Sequence, residues 1–406
     1  MPKGTGWRGS LFLVPGWRET YLLRDEFNSP LAAGSVNGTA AEPGPGIRTV
    51  TDTNSKISVS SGALVFGAGT GSSDGIWYSS LARAVGKMVL CRLVFTTKLL
   101  EFGWDVSAGI NVTDSILFNT GDTLSVRLDG TVMAVGTAAA STYYLAAVMR
   151  AIGMFWFIKG GSFTSWSLLF LSATGSAAGV PGIRSDTTGS GDFYYVRVPR
   201  RLWLPVPLAS DGFPTAFGTT DGTGHAETSG LGAGGGGLAW AAALGTWGIS
   251  SAKANCSALD GTKNIGVAHV TTPTVDVLAS VGVTRAAGAA GLVLRYTDAD
   301  NFLYAYHDGT NAALVEVVAG TPANVVAPTA ATYSAGADLV VMLDGASARL
   351  FYNGAAAGTN GTTNITTGAK HGLWSNNTNP TLDNFVVYAR GVGGEYAYLD
   401  RFLVGE

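Results

Sequence analysis

Charge is scarce in this chain: 13% of its 406 residues are Asp, Glu, Lys or Arg, about half the usual share of roughly 25%. The net charge is −3, and no Lys/Arg group exceeds Arg197, Arg200 and Arg201. Binding nucleic acid by counterion release needs a basic face, so no nucleic-acid partner is expected. Cysteine is nearly absent. Cys91 and Cys256 fall in different halves of the chain, which excludes a disulfide framework and leaves each as a small buried hydrophobe. Long apolar runs are missing too: none approaches the ~18 residues of a spanning helix. Near the N-terminus only Leu11 to Val14 could form the apolar core of a signal peptide, which is too short. A soluble chain without membrane insertion, not exported by the general secretory route, is expected.

What is abundant is Gly, 57 residues of it, with Ala, Ser and Thr. A small-residue surface of low charge suits packing against other subunits, although a bias of the source genome would give the same composition. The most ordered pattern is GLVLRYTDADNFLYAYHDG, Gly291 to Gly309. Leu292, Leu294 and Tyr296 alternate with Val293 and Arg295, Asp/Asn residues turn the chain, and Phe302, Tyr304 and Tyr306 alternate with Leu303 and Ala305. That is a β-hairpin inside a sheet.

The pattern has an earlier copy. Gly109 is aligned with Gly291, and Asp129-Gly130-Thr131 with Asp308-Gly309-Thr310. Around it, Asp25-Glu26-Phe27 parallels Asp211-Gly212-Phe213, 57–64 parallels 247–254, and 144–160 parallels 338–354. Finally, 192–198 parallels 383–388. No segment offers a long amphipathic helix. Two tandem antiparallel β-sandwiches of the jelly-roll type are therefore expected at 21–198 and 210–390, each able to bury about 70% of its unfolded surface.

The remaining segments lie outside the repeat. Residues 1–20 form an arm in which Trp7, Leu11, Phe12 and Trp17 follow no strand or helix period, and such an arm should dock on a neighbouring subunit or on its own domain. Residues 199–209 carry three prolines and form a stiff linker. Gly230 to Gly237 is a loop with no phosphate-binding signature. The tail, 391–406, could extend a sheet edge or clip a partner.

The order Gly-Leu-Ala-Trp, Trp-Gly-Ile-Ser, Ala-Gly-Leu-Val-Leu-Arg-Tyr, Asp-Ala-Asp-Asn-Phe-Leu, Phe-Tyr-Asn-Gly, Gly-Leu-Trp and Leu-Asp-Asn-Phe-Val-Val in the second half resembles the concanavalin A-like lectin/glucanase (laminin-G-like) jelly rolls. It is especially similar to the tandem modules of bacteriophage tail and other virion structural proteins. The resemblance implies a virion component on the particle surface, with neighbouring copies or other virion proteins as partners and host surface glycans as a further partner. The alternative is a lectin-like carbohydrate-binding module or adhesin at a cell surface.

A third reading is a glycoside hydrolase of the same fold. Its retaining members resemble Glu-x-Asp-x-x-Glu on one strand, since acid and nucleophile sit about 5 Å apart. The eight Glu here are scattered, none within six positions of another. His225, His269, His307 and His371 form no metal or triad spacing, so no enzyme, catalytic residue or cofactor is expected. The resemblance also implies that calcium can be held by loop oxygens, for which Asp298, Asp300 and Asn301 are the candidates, although the same residues serve the turn. Glycan stacking would use Tyr304, Tyr306, Tyr352 and Trp374; the same aromatics could equally be cross-strand core pairs.

Overall fold

Period-two alternation with turn residues between the runs organises the chain into antiparallel strands, and among the described residues no α-helix occurs. The computed structural model describes residues 21–44, 46–67, 74–96, 99–105, 114–119, 123–128, 131–150, 153–172, 179–186, 192–200, 207–213, 238–391, 396 and 399–400. The arm residues Trp7, Leu11, Phe12 and Trp17, the Gly230 to Gly237 loop and most of the linker and tail lie outside them.

The strands form four sheets of 8, 7, 9 and 7 members. Strands up to Asp192–Pro199 make the first pair of sheets, and those from Ala209–Asp211 onward make the second. Each pair faces across an apolar core to which Leu90, Phe102 and Val196 contribute in the first sandwich, and Val281, Leu292 and Val387 in the second. The two sandwiches have the same connectivity. In the first, the larger sheet runs through Ser141–Arg150, Met88–Phe95, Asp192–Pro199 and Ala63–Phe66; in the second, Ala337–Asp344, Val277–Thr284, Thr381–Ala389 and Lys253–Ala258 take the same order.

This register corrects one alignment made from sequence. The counterpart of the hairpin Ala290–Asp298/Asn301–His307 is Leu99–Asp105/Asp114–Phe118. Asp129-Gly130 therefore follows the strand equivalent to Asn311–Val318, one hairpin later than Asp308-Gly309. An Asp-Gly dipeptide looks the same in sequence wherever it stands, because it records turn chemistry and not a place in the sheet.

The acidic residue two before Phe does the same work in both copies. Asp25 Oδ1 accepts the Phe27 N–H at 3.3 Å and Asp211 Oδ1 accepts the Phe213 N–H at 2.7 Å. Each Phe sits at positive φ, 51° and 49°. Asp25 also forms a bidentate pair with Arg48, at 2.6 and 2.7 Å, and accepts the Tyr78 hydroxyl at 2.8 Å. Asp211 instead accepts the Trp240 indole N–H at 2.9 Å.

The sandwiches share an interface. Phe155 meets Tyr388 edge-on at 4.9 Å, Phe170 meets Phe351 at 4.6 Å, and Leu168 N–H donates to Arg390 O at 2.7 Å. The described part of the tail lies against the first sandwich: Tyr396 packs on Phe157, and Asp400 accepts from Lys159 and Trp166 at 2.7 and 2.9 Å.

Arg48 and Asp25 are 1% and 0% exposed at their side chains, so Arg48→Ala strands a buried carboxylate. The expected loss is about 3–5 kcal/mol of unfolding free energy, measured by urea denaturation; a loss below about 1 kcal/mol would mean the pair behaves as a surface ion pair.

Candidate functional site

The outer face of the second sandwich's seven-stranded sheet carries an aromatic surface, set by strand register. Tyr306, Gly291, Trp374 and Val267 lie in one row across four strands; Tyr304, Val293, Gly372 and His269 lie in the next. Inward neighbours Leu292, Leu303, Ala305 and Leu373 fill the core, so the aromatic row is the other half of the same alternation.

Two glycines shape this face. A Cβ on Gly372 would meet Ala268 O at 2.0 Å, and one on Gly291 would meet Ala305 O at 2.3 Å. With no side chain at Gly291, Trp374 and Tyr306 lean together across it, ring centroids 5.9 Å apart. Trp374 stacks on Tyr304 at 4.4 Å and 20°. The stack continues from Tyr304 to Phe302 at 5.9 Å, from Phe302 to Tyr296 at 5.8 Å, and from Tyr296 to His269 at 5.1 Å.

Trp374 is only 4% exposed and its indole N–H finds no acceptor. Tyr304 and Tyr306 are half-buried, and no hydrogen bond to the protein uses their hydroxyls. Burial first, and then Tyr306 for Tyr304 and Asp308 for Tyr306, raises both phenols above their ordinary value, so they are neutral donors at neutral pH. Burial, followed by the Lys370 charge, lowers His269 to about 4. The rings themselves are thus uncharged; around them stand Lys370, whose ammonium lies 5.8 Å over the Tyr296 ring, and the turn carboxylates Asp298, Asp300 and Asp308.

Three of the four aromatics chosen from sequence meet here. The fourth does not: Tyr352 belongs to the opposite sheet, stacks on His307 at 4.1 Å, and donates its hydroxyl to Ser334 O at 3.0 Å. It is an interior residue. Sequence reasoning missed Tyr296, Phe302 and His269, although the alternation that selected Tyr304 and Tyr306 also runs through Phe302.

The Asp298 turn is held by protein donors. Asp298 Oδ1 accepts from Asp300 N at 2.8 Å and from Asn301 Nδ2 at 2.9 Å, Asn301 Oδ1 accepts from Ala319 N at 3.1 Å, and Asp300 pairs with Lys263. A calcium ion takes six to eight oxygens, and these oxygens are already engaged in closing the hairpin. Among the described residues no cluster of three or more His, Cys, Asp or Glu could hold a metal ion.

The equivalent face of the first sandwich has a different chemistry. By register, Glu101 occupies the place of Gly291, and Arg184 that of Trp374. Glu101 is fully buried between Arg127, at 2.9 Å, and Arg184, at 3.4 Å.

No protein-family model matches the chain, and no curated protein does. Solved structures do. A carbohydrate-binding module, CBM66, from Bacillus subtilis is 14% identical, covering 37% of this chain and 95% of its own, with a TM-score of 0.31. A β-1,3-glucanase from Mycobacterium marinum is 14% identical over 44% of this chain and 98% of its own, TM-score 0.28. The catalytic domain of an endo-1,3-β-glucanase (laminarinase) from Thermotoga petrophila is 10% identical over 45% and 98%, TM-score 0.29.

Likeness this distant assigns neither ligand nor reaction. The expectation that the chain is not an enzyme is opposed by two of the three neighbours, which are named as glucan hydrolases. None of the three is named as a virion protein, and the expectation of a phage structural role gains nothing from them.

His269 and His371 make the second sandwich acid-sensitive. His371 accepts the Arg295 N–H and donates to Thr274 O, and burial lowers it to about 4. Because both folded pKa values lie below the ordinary 6.5, the unfolded chain binds more protons between pH 6.5 and about 4. Stability falls as pH drops through that window, by up to about 3 kcal/mol per residue, and these groups leave it flat above. Urea midpoints at pH 7 and 4.5 should fall less for His269→Gln than for the wild type; equal falls would remove His269 from the account.

Proposed function

We propose that the second sandwich binds a saccharide on the outer face of its seven-stranded sheet, with a sugar ring against Tyr304 and Tyr306 and Trp374 backing them. The observation that carries this is the Trp374/Tyr304/Tyr306 stack whose indole N–H and phenol hydroxyls have no protein partner. An aromatic face meets the C–H side of a pyranose, while nearby uncommitted donors meet its hydroxyls. A purely structural aromatic cluster would more simply be made of Phe and Leu, which leave no polar atom unsatisfied.

The neutral rings, with carboxylates Asp298, Asp300 and Asp308 at their edge, favour a neutral sugar over an acidic one. Display on a virion or cell surface, where such binding would attach the protein to a glycan coat, is compatible with this reading and rests on the sequence resemblance.

The test is a glycan array followed by calorimetry on the hits, with the full chain and with Tyr304→Ala and Tyr306→Ala. Each substitution should weaken binding by about tenfold, the effect of losing roughly 1–1.5 kcal/mol of ring contact. Hits whose affinity is unchanged in both variants would sink the proposal, and release of reducing ends from a bound glucan would extend it from binding to hydrolysis.

A further inference from the structure

A cleft of about 680 Å³ opens between the two sandwiches. It lies at the nine-stranded sheet of the second sandwich, whereas the aromatic face belongs to the seven-stranded one. Ser162, Phe163 and Thr164 line it from the first sandwich, and Asp276, Asp344 and Ser347 line it from the second. The two walls are tied together where Arg349 Nη1 donates to Val135 O across the interface.

The charges on its wall balance, with Arg349 and Arg390 against Asp276 and Asp344. They differ in which of them reach the open space. The Asp276 and Asp344 side chains are 37% and 54% exposed, while their partners Arg295 and Arg390 are buried behind them. Each carboxylate is held through one oxygen: Asp276 Oδ1 accepts from Arg295 at 2.8 Å and from the Gly345 N–H at 2.9 Å, and Asp344 Oδ2 accepts from Arg390 at 3.3 Å. The other oxygens, Asp276 Oδ2 and Asp344 Oδ1, take no hydrogen bond from the described residues. The hydroxyls of Ser162, Thr164 and Ser347 are equally uncommitted among the described residues.

Two carboxylates fixed from behind and open in front are preorganised acceptors, so the ligand that suits them brings donors. Its charge is restricted by what surrounds them. An anion would meet the exposed carboxylates first, and a cation would lie against carboxylates whose charge the guanidiniums already neutralise. A neutral hydroxyl avoids both costs and gains a charge-assisted hydrogen bond, roughly twice as strong as one between neutral groups. The volume lies in the range of about 300–1,000 Å³ that holds a small organic molecule. Half-buried Phe163 adds an apolar surface for C–H groups, flanked by the hydroxyls of Ser162 and Thr164.

From these observations we infer a second binding site: the cleft takes a neutral sugar, whose hydroxyls donate to Asp276 Oδ2 and Asp344 Oδ1 and whose C–H face lies on Phe163. The site is separate from the aromatic face, and neither claim depends on the other.

The test uses the full-length protein carrying both Tyr304→Ala and Tyr306→Ala, so that any sugar bound is read away from the aromatic face. Two matched sets are the probes, glucose with glucosamine and glucuronate, and galactose with galactosamine and galacturonate. Binding is read by calorimetry and by the shift in melting temperature at about pH 6, where the amines are charged. In at least one set the neutral sugar should bind at least tenfold more tightly than both charged counterparts. Adding Asp344→Asn should lower that affinity about tenfold, the effect of losing a hydrogen bond to a charged acceptor. Because Asp344 also pairs with Arg390, a second variant guards against misfolding: Thr164→Trp, at an exposed position on the opposite wall, should fill the cleft and abolish binding. No binding of either neutral sugar, a preference below tenfold in both sets, or full affinity in either added variant would each overturn the assignment.

Discussion

A β-strand points successive side chains to opposite faces, and a sandwich can bury only one of the two rows between its sheets. The other row must be covered by something else, hydrated, or put to use, and that constraint runs through this molecule. In the second sandwich the outward row of the seven-stranded sheet is Tyr304, Tyr306, Trp374 and Phe302, stacked and tilted against one another in a small cluster of its own. In the first, the same row holds Glu101 between two arginines. One connectivity therefore presents two chemistries, because register fixes where a side chain stands and leaves its identity free.

The same constraint explains why strand Gly153–Gly160 is apolar on both faces when its counterpart Ser347–Tyr352 is not. Met154, Trp156 and Ile158 alternate with Phe155 and Phe157, and all are buried. One row serves the first sandwich, and Phe155 and Phe157 also meet Tyr388 and Tyr396 of the second half. A strand apolar on both faces in an antiparallel sheet signals a covered face, and here the cover is the other domain. That contact also brings Arg349 and Arg390 to the wall of a shared cleft.

Much of the architecture was legible in the sequence because its signals are local. The Asp-x-Phe openings, the closing strands and the hairpin at residues 290–307 all follow from alternation and turn chemistry, and each recurs in both halves. The hairpin alignment failed where the signal was only a turn dipeptide, since Asp-Gly marks a bend without saying which one. Site residues were legible to the extent that alternation reveals them: Tyr304 and Tyr306 share a strand, whereas Trp374 reaches them only through the register of a strand some 70 residues away. Tyr352 sits on an equally regular strand but faces inward, because the choice between the two rows is made by the partner sheet. The cleft arginines left no local trace at all. Arg349 and Arg390 look like ordinary solvated charges until two domains close over them.

Polar pairing inside the molecule is complete in some places and incomplete in others. Asp25, Arg48 and Tyr78 form a closed network in which each polar group has its partner, and such a network serves the fold. Trp374 and Arg390 are nearly as deeply placed as that network, Arg349 is half-buried, and each carries a donor with nothing to donate to. A sequence under selection for stability alone removes such groups, since an apolar side chain of the same shape is usually as good or better. Such groups are not confined to the aromatic face: Arg83 Nε, Trp104 Nε1 and Arg127 Nε also lack an acceptor, so at Trp374 it is the stack of rings around the orphaned donor that carries the functional reading.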